Sequence, residues 1–293
     1  MAEQLQFGGA WTQQKLDALS KYLRAYTRIF KKNPRAQYFR ITYVDAFAGT
    51  GHIPGRELGP LAEHFPGLAE SAEEYRKGSV SRALEIEPPF DKYIFIEKDS
   101  GKCEQLTALA AKLPGKNITI LNEDANAALL KWCRELDKKR ERAVVFLDPF
   151  GASVEWNVIS ALGRTRAVDL WILFPFFAVN RMLIRNRKPP EAWANRLTKV
   201  FGTRDWESEF YSSTEWESLL DPKQPIKQVY KTADHYKISE FFIKQLRNEF
   251  EGVGEPLALH NSTGSLLFLL YFAAANERSA ETGIKIAKSI IGR

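Results

Sequence analysis

The chain has 293 residues, with 42 Lys+Arg against 36 Asp+Glu and a formal charge of +6. Apolar residues make up 44% and charged residues 27%, which excludes a disordered tail, a collagen-like repeat and a coiled coil. The length fits one large α/β domain, or a core with an appended subdomain.

The first periodic segment carries Leu16, Leu19, Leu23, Tyr26 and Phe30 at 3-4-3-4 spacing, one apolar stripe on an amphipathic helix that Asn33-Pro34 ends. Short β-rich runs follow at Ile41–Phe47, Tyr93–Glu97, Ile118–Leu121, Val144–Asp148 and Leu170–Phe174. Helices are expected between them near Val80–Ile86, Gly101–Leu113, Asn126–Lys138 and Trp156–Leu162, with Ser79 and Ser100 at N-cap positions. Continuously apolar strands alternating with helices predict a parallel sheet covered on both faces. Pro256–Leu259 and Leu266–Ala274, joined by Asn261-Ser262-Thr263-Gly264, predict an antiparallel hairpin, and a last helix is expected at Ile284–Ile291.

The expected architecture is therefore a seven-strand Rossmann-like methyltransferase sheet, mostly parallel with an antiparallel terminal hairpin, flanked by helices and carrying a helical insertion. Its parts are a basic amphipathic helix in residues 1–40, a core in 41–180 and 252–293, and a helical cover in 181–251. Residues 52–78 are expected to form an inserted loop after the first strand, where a loop of that length usually carries function.

Charge is unevenly spread. Lys15 to Arg40 holds eight basic residues and one acid, and Arg181 to Arg204 holds seven and one, so the rest of the chain is net negative. Two such segments suggest a polyanion partner, a nucleic acid or nucleotide, with Arg181, Arg185, Arg187 and Lys188 on its phosphates; solvated helix faces are the alternative.

The candidate chemistry sits at strand ends. Asp45-Ala46-Phe47-Ala48-Gly49-Thr50-Gly51 closes the first strand with a D-x-F-x-G-x-G turn. Gly49 and Gly51 let a ligand approach the backbone, and the acid before them suits a cationic ligand such as S-adenosylmethionine better than a pyrophosphate. The G-x-G-x-x-G dinucleotide fingerprint is absent, which weighs against a nicotinamide-dependent dehydrogenase. Glu97, ending the second strand, suits two ribose hydroxyls, or else a helix N-terminus. Asp124 and Ala125 follow the third strand, where an acid takes an adenine amino group or caps the next helix.

Asp148-Pro149-Phe150-Gly151 ends the fourth strand beside the topological switch point. Amino-group methyltransferases place an Asp/Asn-Pro-Pro-aromatic motif there to accept from the target amine and stack its base. Here Phe150 stands in the second Pro position and Gly151 in the aromatic one. Phe174-Pro175-Phe176-Phe177 is read as an aromatic wall or as core. His52, His64, His235 and His260 show no metal-ligand spacing, and Cys103 and Cys133 are too few for a four-ligand zinc site, so no metal is expected. Cys103, near a predicted helix start, is expected to be somewhat acidic.

No signal-peptide core opens the chain, and its longest apolar run, Leu266 to Ala275, has ten residues, against the roughly 18 a membrane span needs. A cytoplasmic protein without membrane contact is expected.

Taken in order, Lys15-Leu16 through Tyr22-Leu23, Tyr43 to Gly51, Gly78-Ser79 with Ala83-Leu84, Phe95 to Asp99, Phe146 to Gly151, Asn180-Arg181 and Leu267 to Ala273 resemble the three-Cys-motif partner protein family. The resemblance implies a Rossmann-like methyltransferase fold and association with a protein bearing three clustered cysteines, a pattern like that of iron–sulfur radical enzymes. The family is named for its partner and not for a reaction. Two roles follow: an S-adenosylmethionine-dependent methyltransferase with Asp148, Pro149 and Phe150 at the acceptor, or a non-catalytic accessory subunit of the three-cysteine protein.

Overall fold

The computed structural model describes residues 10–49, 78–149, 151–216 and 226–292. Ten strands are β1 (Arg40–Asp45), β2 (Lys92–Ile96), β3 (Ile118–Leu121), β4 (Glu141–Leu147), β5 (Val168–Phe174), β6 (Tyr211–Trp216), β7 (Ile226–Lys231), β8 (Gly252–Val253), β9 (Leu257–His260) and β10 (Leu266–Ala274). The helices are α1 (Ala10–Lys32), α2 (residues 78–84), α3 (Ser100–Ala111), α4 (Ala125–Glu135), α5 (Trp156–Arg164), α6 (Phe176–Met182), α7 (Glu191–Phe201), α8 (Trp206–Phe210), α9 (His235–Glu249) and α10 (Glu277–Ile291).

Eight strands form one sheet in the order β3-β2-β1-β4-β5-β10-β8, with β9 also paired to β10. The first five are parallel, and β10 runs antiparallel to β5, β8 and β9. β8 and β9 together make a single broken edge strand, interrupted where Pro256 has no N–H to give a ladder. This is the expected mostly parallel sheet with an antiparallel terminal hairpin, its edge strand split in two.

Strand alternation assigns the faces. Tyr43, Tyr93, Val144, Trp171 and Phe272 point into one apolar layer with α1, α2 and α10, while Val44, Ile94, Val145, Ile172 and Tyr271 point into the other with α4, α5, α7 and α9. Right-handed crossovers require this split. The chain steps outward from β1 to β3 and then back through β4 and β5, which moves the crossover helices from one face to the other.

Several local expectations change. The N-cap of α3 is Asp99, whose carboxylate accepts from Lys102 N, and not Ser100. Ser79 lies inside α2 and turns its hydroxyl to Asp45. The last helix begins at Glu277, capped by Asn276. The segment read as a helical cover also contains an antiparallel strand pair, β6 with β7. Val229 and Tyr230 there are β-branched or aromatic, and a paired strand uses them better than a helix does. Leu197, Phe201, Trp206 and Phe210 from this segment belong to the same apolar layer as the sheet residues, so it has no core of its own.

Gly202 ends α7 at φ +77°, and a Cβ there would stand 2.3 Å from the Trp156 ring. Gly202→Ala combines left-handed backbone strain with overpacking against Trp156, so it should lower stability by about 2 kcal/mol. A urea midpoint equal to wild type would contradict this.

Candidate functional site

The strand order reverses between β1 and β4, and ligands of open α/β sheets bind at the carboxyl ends beside such a point. Asp45 is the last residue of β1 and pairs in register with Phe146, so Asp45 and Asp148 emerge side by side.

Ala46 N donates to Phe146 O and Ala48 N to Ile96 O, so the turn after β1 is tied to both neighbouring strands. Asp45 is fully buried. Its Oδ2 accepts from Ser79 Oγ at 2.9 Å and Tyr43 Oη at 3.3 Å, and its Oδ1 accepts from Phe47 N at 3.2 Å. These bonds give Asp45 a task inside the turn. Burial pushes its carboxyl up to about 7, against the lowering effect of its donors, and the nearby Asp148 charge adds to the rise.

Glu97 follows β2 and is partly exposed. Its Oε2 accepts from Gly49 N at 2.9 Å and its Oε1 from Asp99 N at 3.0 Å. The carboxylate is thus locked beside the glycine turn, and each oxygen keeps capacity for one more donor. Asn122 holds the loop behind it by donating to the carbonyls of Glu97 and Lys98. Asp124 caps α4, accepting from Asn126 N and Ala127 N. It is exposed, while Ala125 is buried. Asn126 bridges α4 to the segment after β4, donating to Ser153 O and accepting from Glu155 N.

Asp148 and Pro149 are buried at the end of β4. Lys15 of α1, itself 1% exposed, places Nζ 3.6 Å from Asp148 Oδ1, 4.9 Å from the Trp11 ring centroid and 5.8 Å from that of Phe268. From the other side Arg196 of α7 brings Nη2 to 4.0 Å from where a Cβ on Gly151 would stand, and its buried Nε has no hydrogen-bond partner among the described residues. The sequence placed Lys15 and Arg196 in basic segments read as phosphate contacts or solvated helix faces, not beside Asp148. Ser79 and Asn126 were likewise not legible as site residues, because their partners are 34 and 27 residues away in the chain.

Gly51 and Phe150 lie outside the described residues, as do His52, His64 and nearly all of the 52–78 loop. Phe174 and Phe176 are buried in the core and Phe177 is half-buried beneath Arg181, with the guanidinium 5.8 Å from its ring. Arg185 and Arg187 are exposed. Lys188 is joined to Glu207 at 2.8 Å, Lys199 to Glu155, and Arg204 to Glu191 and Glu207, so much of the second basic segment is neutralised within the chain. The Cys103 thiol is pushed up by burial and then by Glu97, opposite to the acidity expected at a helix start, and burial pushes Cys133 up to about 12. Among the described residues no three His, Cys, Asp or Glu side chains gather as a metal set, and no helix is long and apolar enough to cross a membrane.

No family model matches the chain, and no curated protein matches it. Among solved structures it is similar to the Legionella pneumophila protein LPL1258 of family-model DUF519, at 13% identity over 91% of this chain and 98% of that one, TM-score 0.42. It is also similar to the N-terminal domain of EvdMO1, solved in the presence of SAH and D-fucose, at 8% identity over 88% and 82%, TM-score 0.38. A third is the Thermotoga maritima spermidine synthase, at 12% identity over 97% and 75%, TM-score 0.31. At such identities and TM-scores these likenesses assign no activity or ligand to this chain; its fold class rests on its own strand order and directions.

Proposed function

We propose that this chain is an S-adenosylmethionine-dependent methyltransferase whose acceptor is a nitrogen of a nucleic-acid base or nucleotide. The observation that carries the reading is the Glu97 carboxylate, held by Gly49 N and Asp99 N at the carboxyl end of β2 with two acceptor positions to spare. A ribose diol offers two donors at that spacing. The glycine turn beside it gives close backbone approach, and Asp45 supports that turn from behind. Asp124 stands at the next strand end for an exocyclic amine. S-adenosylmethionine would supply an electrophilic methyl group on a sulfonium; the chain's own contribution is positioning and desolvation. At the acceptor side Asp148, with the Pro149 and Phe150 positions following it, accepts from the target nitrogen and orients its lone pair.

The test is calorimetric titration with S-adenosylmethionine and S-adenosylhomocysteine, with NAD as the control ligand. Micromolar binding of both adenosyl ligands is expected, with Glu97→Ala weakening it about a hundredfold through the loss of two charged-acceptor hydrogen bonds. Absence of heat with either ligand would sink the cofactor assignment.

A second reading is favoured by one specific feature: Asp148 is buried and paired with Lys15 inside the chain. Together with the resemblance to three-Cys-motif partner proteins, this supports an accessory subunit that presents substrate to a three-cysteine protein. The free, buried Cys103 and Cys133 suit the cytoplasm, where such a partner would be met. Under that reading Asp148→Ala leaves the partner's activity intact; under the first it abolishes methyl transfer.

A further inference from the structure

A cavity of about 1290 Å³ opens between α6, the segment after it, α7, β7, the start of α9 and the β9–β10 hairpin. It lies at the carboxyl edge of the sheet, because Leu269 on its floor pairs in register with Phe174, the last residue of β5. Four large apolar side chains stand exposed among the described residues, and three of them, Trp193 (43%), Tyr230 (38%) and Tyr236 (69%), line this one cavity. The His235 ring lies 3.9 Å from that of Tyr236, extending the aromatic surface.

Cations are set among these rings. Arg181, Arg185 and Lys231 line the cavity, against the carboxylates of Asp234 and Glu255. Asp234 is committed to the backbone of α9, accepting from Lys237 N. Arg185 and Lys231 are held together by a backbone bond from Lys231 N to Arg185 O, and Tyr211 Oη pins the same segment through Ile184 O. Lys231 is pushed down to about 8, first by burial and then by the positive charge of Arg185, with Asp234 partly offsetting. Lys231 Nζ also donates to Asn180 Oδ1, and two cations brought near each other in a half-exposed cleft are stabilised by an anion between them.

Helix α7 connects one wall of the cleft with the segment that follows Asp148. Trp193 and Arg196 lie three residues apart on α7 and therefore on one helix face. Trp193 lines the cleft, while Arg196 brings Nη2 to 4.0 Å from where a Cβ on Gly151 would stand, three residues after Asp148.

We propose that this cleft seats a single-stranded polynucleotide, its bases stacked on Trp193, Tyr230 and Tyr236 and its phosphates met by Arg185 and Lys231, running past Arg196 toward Asp148. Unpaired bases offer the faces that such a platform needs, and a duplex hides them. That a base is presented to Asp148 rests on the methyltransferase reading; binding of the strand does not.

The test is fluorescence anisotropy with labelled single strands of about 15 nucleotides, as RNA and as DNA, beside the matching duplex and free mononucleotides, across about 50 to 200 mM salt. Single strands should bind about tenfold or more tightly than duplex. Arg185→Gln with Lys231→Gln should lower affinity and take about 1.4 off the slope of log K against log salt, two single-strand phosphate contacts at about 0.7 each. Trp193→Ala with Tyr236→Ala should lower affinity about tenfold or more with the slope unchanged. Stacking is also read without truncation: strand addition should quench tryptophan emission, and Trp193→Phe should remove that quenching. Equal binding of duplex, an aromatic pair without effect, quenching that survives Trp193→Phe, or no binding at the lowest salt would each overturn the proposal. S-adenosylhomocysteine titration of the same preparations separates the two readings. Cofactor without strand leaves a methyltransferase of another acceptor, and strand without cofactor leaves the cleft and removes the methyl-transfer assignment.

Discussion

Lys15→Met is expected to lower the unfolding free energy at pH 8 by about 3 kcal/mol, the scale for stranding one partner of a buried ion pair. Lys15 is 1% exposed and Asp148 6%, so neither charge has water to fall back on. Methionine keeps the length and apolar stem that lie along Trp11 and Phe268 but removes the ammonium that faces Asp148. Asp148→Asn in the same chain should recover most of the loss, because a neutral amide no longer needs the ammonium. The urea-derived double-mutant cycle should therefore show coupling of about 2 kcal/mol; two additive single effects would refute the pairing.

From pH 5 to pH 8 the fold should lose about 4 kcal/mol of stability through two carboxyls alone, about 3 from Asp45 and about 1 from Asp169. Burial pushes Asp45 up to about 7 and Asp169 up to about 6. In the unfolded chain both ionise near the ordinary aspartate value of about 3.9. The folded state therefore keeps protons that the unfolded state has already released. This stabilisation is complete below the unfolded value and is lost as pH rises through 6 and 7. Asp169 sits under Tyr22 of α1, whose hydroxyl donates to Oδ2 at 2.6 Å, with Arg142 favouring its charged form. Asp169→Asn keeps an acceptor for Tyr22 and removes the titration, so its stability should fall by about 1 kcal/mol less than wild type over that range. Parallel urea midpoints at the two pH values would contradict the assignment.

Both predictions involve α1, and they show where sequence reading stops. The 3-4-3-4 stripe from Leu16 to Phe30 predicts the helix and its buried face, and the structure has α1 over Ala10–Lys32. Nothing local separates Lys15 from the solvated lysines nearby. Its burial follows from a carboxylate 133 residues away at the end of β4. Glu97 was legible because a strand-end acid has few tasks, yet the two amides that lock it come from different loops. In the second basic segment the charges were visible but their neutralisation was not. Lys188 and Arg204 meet Glu207, whereas Arg185 meets Lys231 across the chain.

Periodicity and strand-end chemistry determined the sheet, its antiparallel end and the positions of Asp45, Glu97, Asp124 and Asp148, because apolar alternation and turn residues act over a few neighbours. Only the tertiary structure decided that Ser79 braces Asp45, that Lys15 answers Asp148, and that Trp193, Tyr230 and Tyr236 line one cleft. Those relations depend on burial and on side chains brought together from distant segments, and the folded chain creates both.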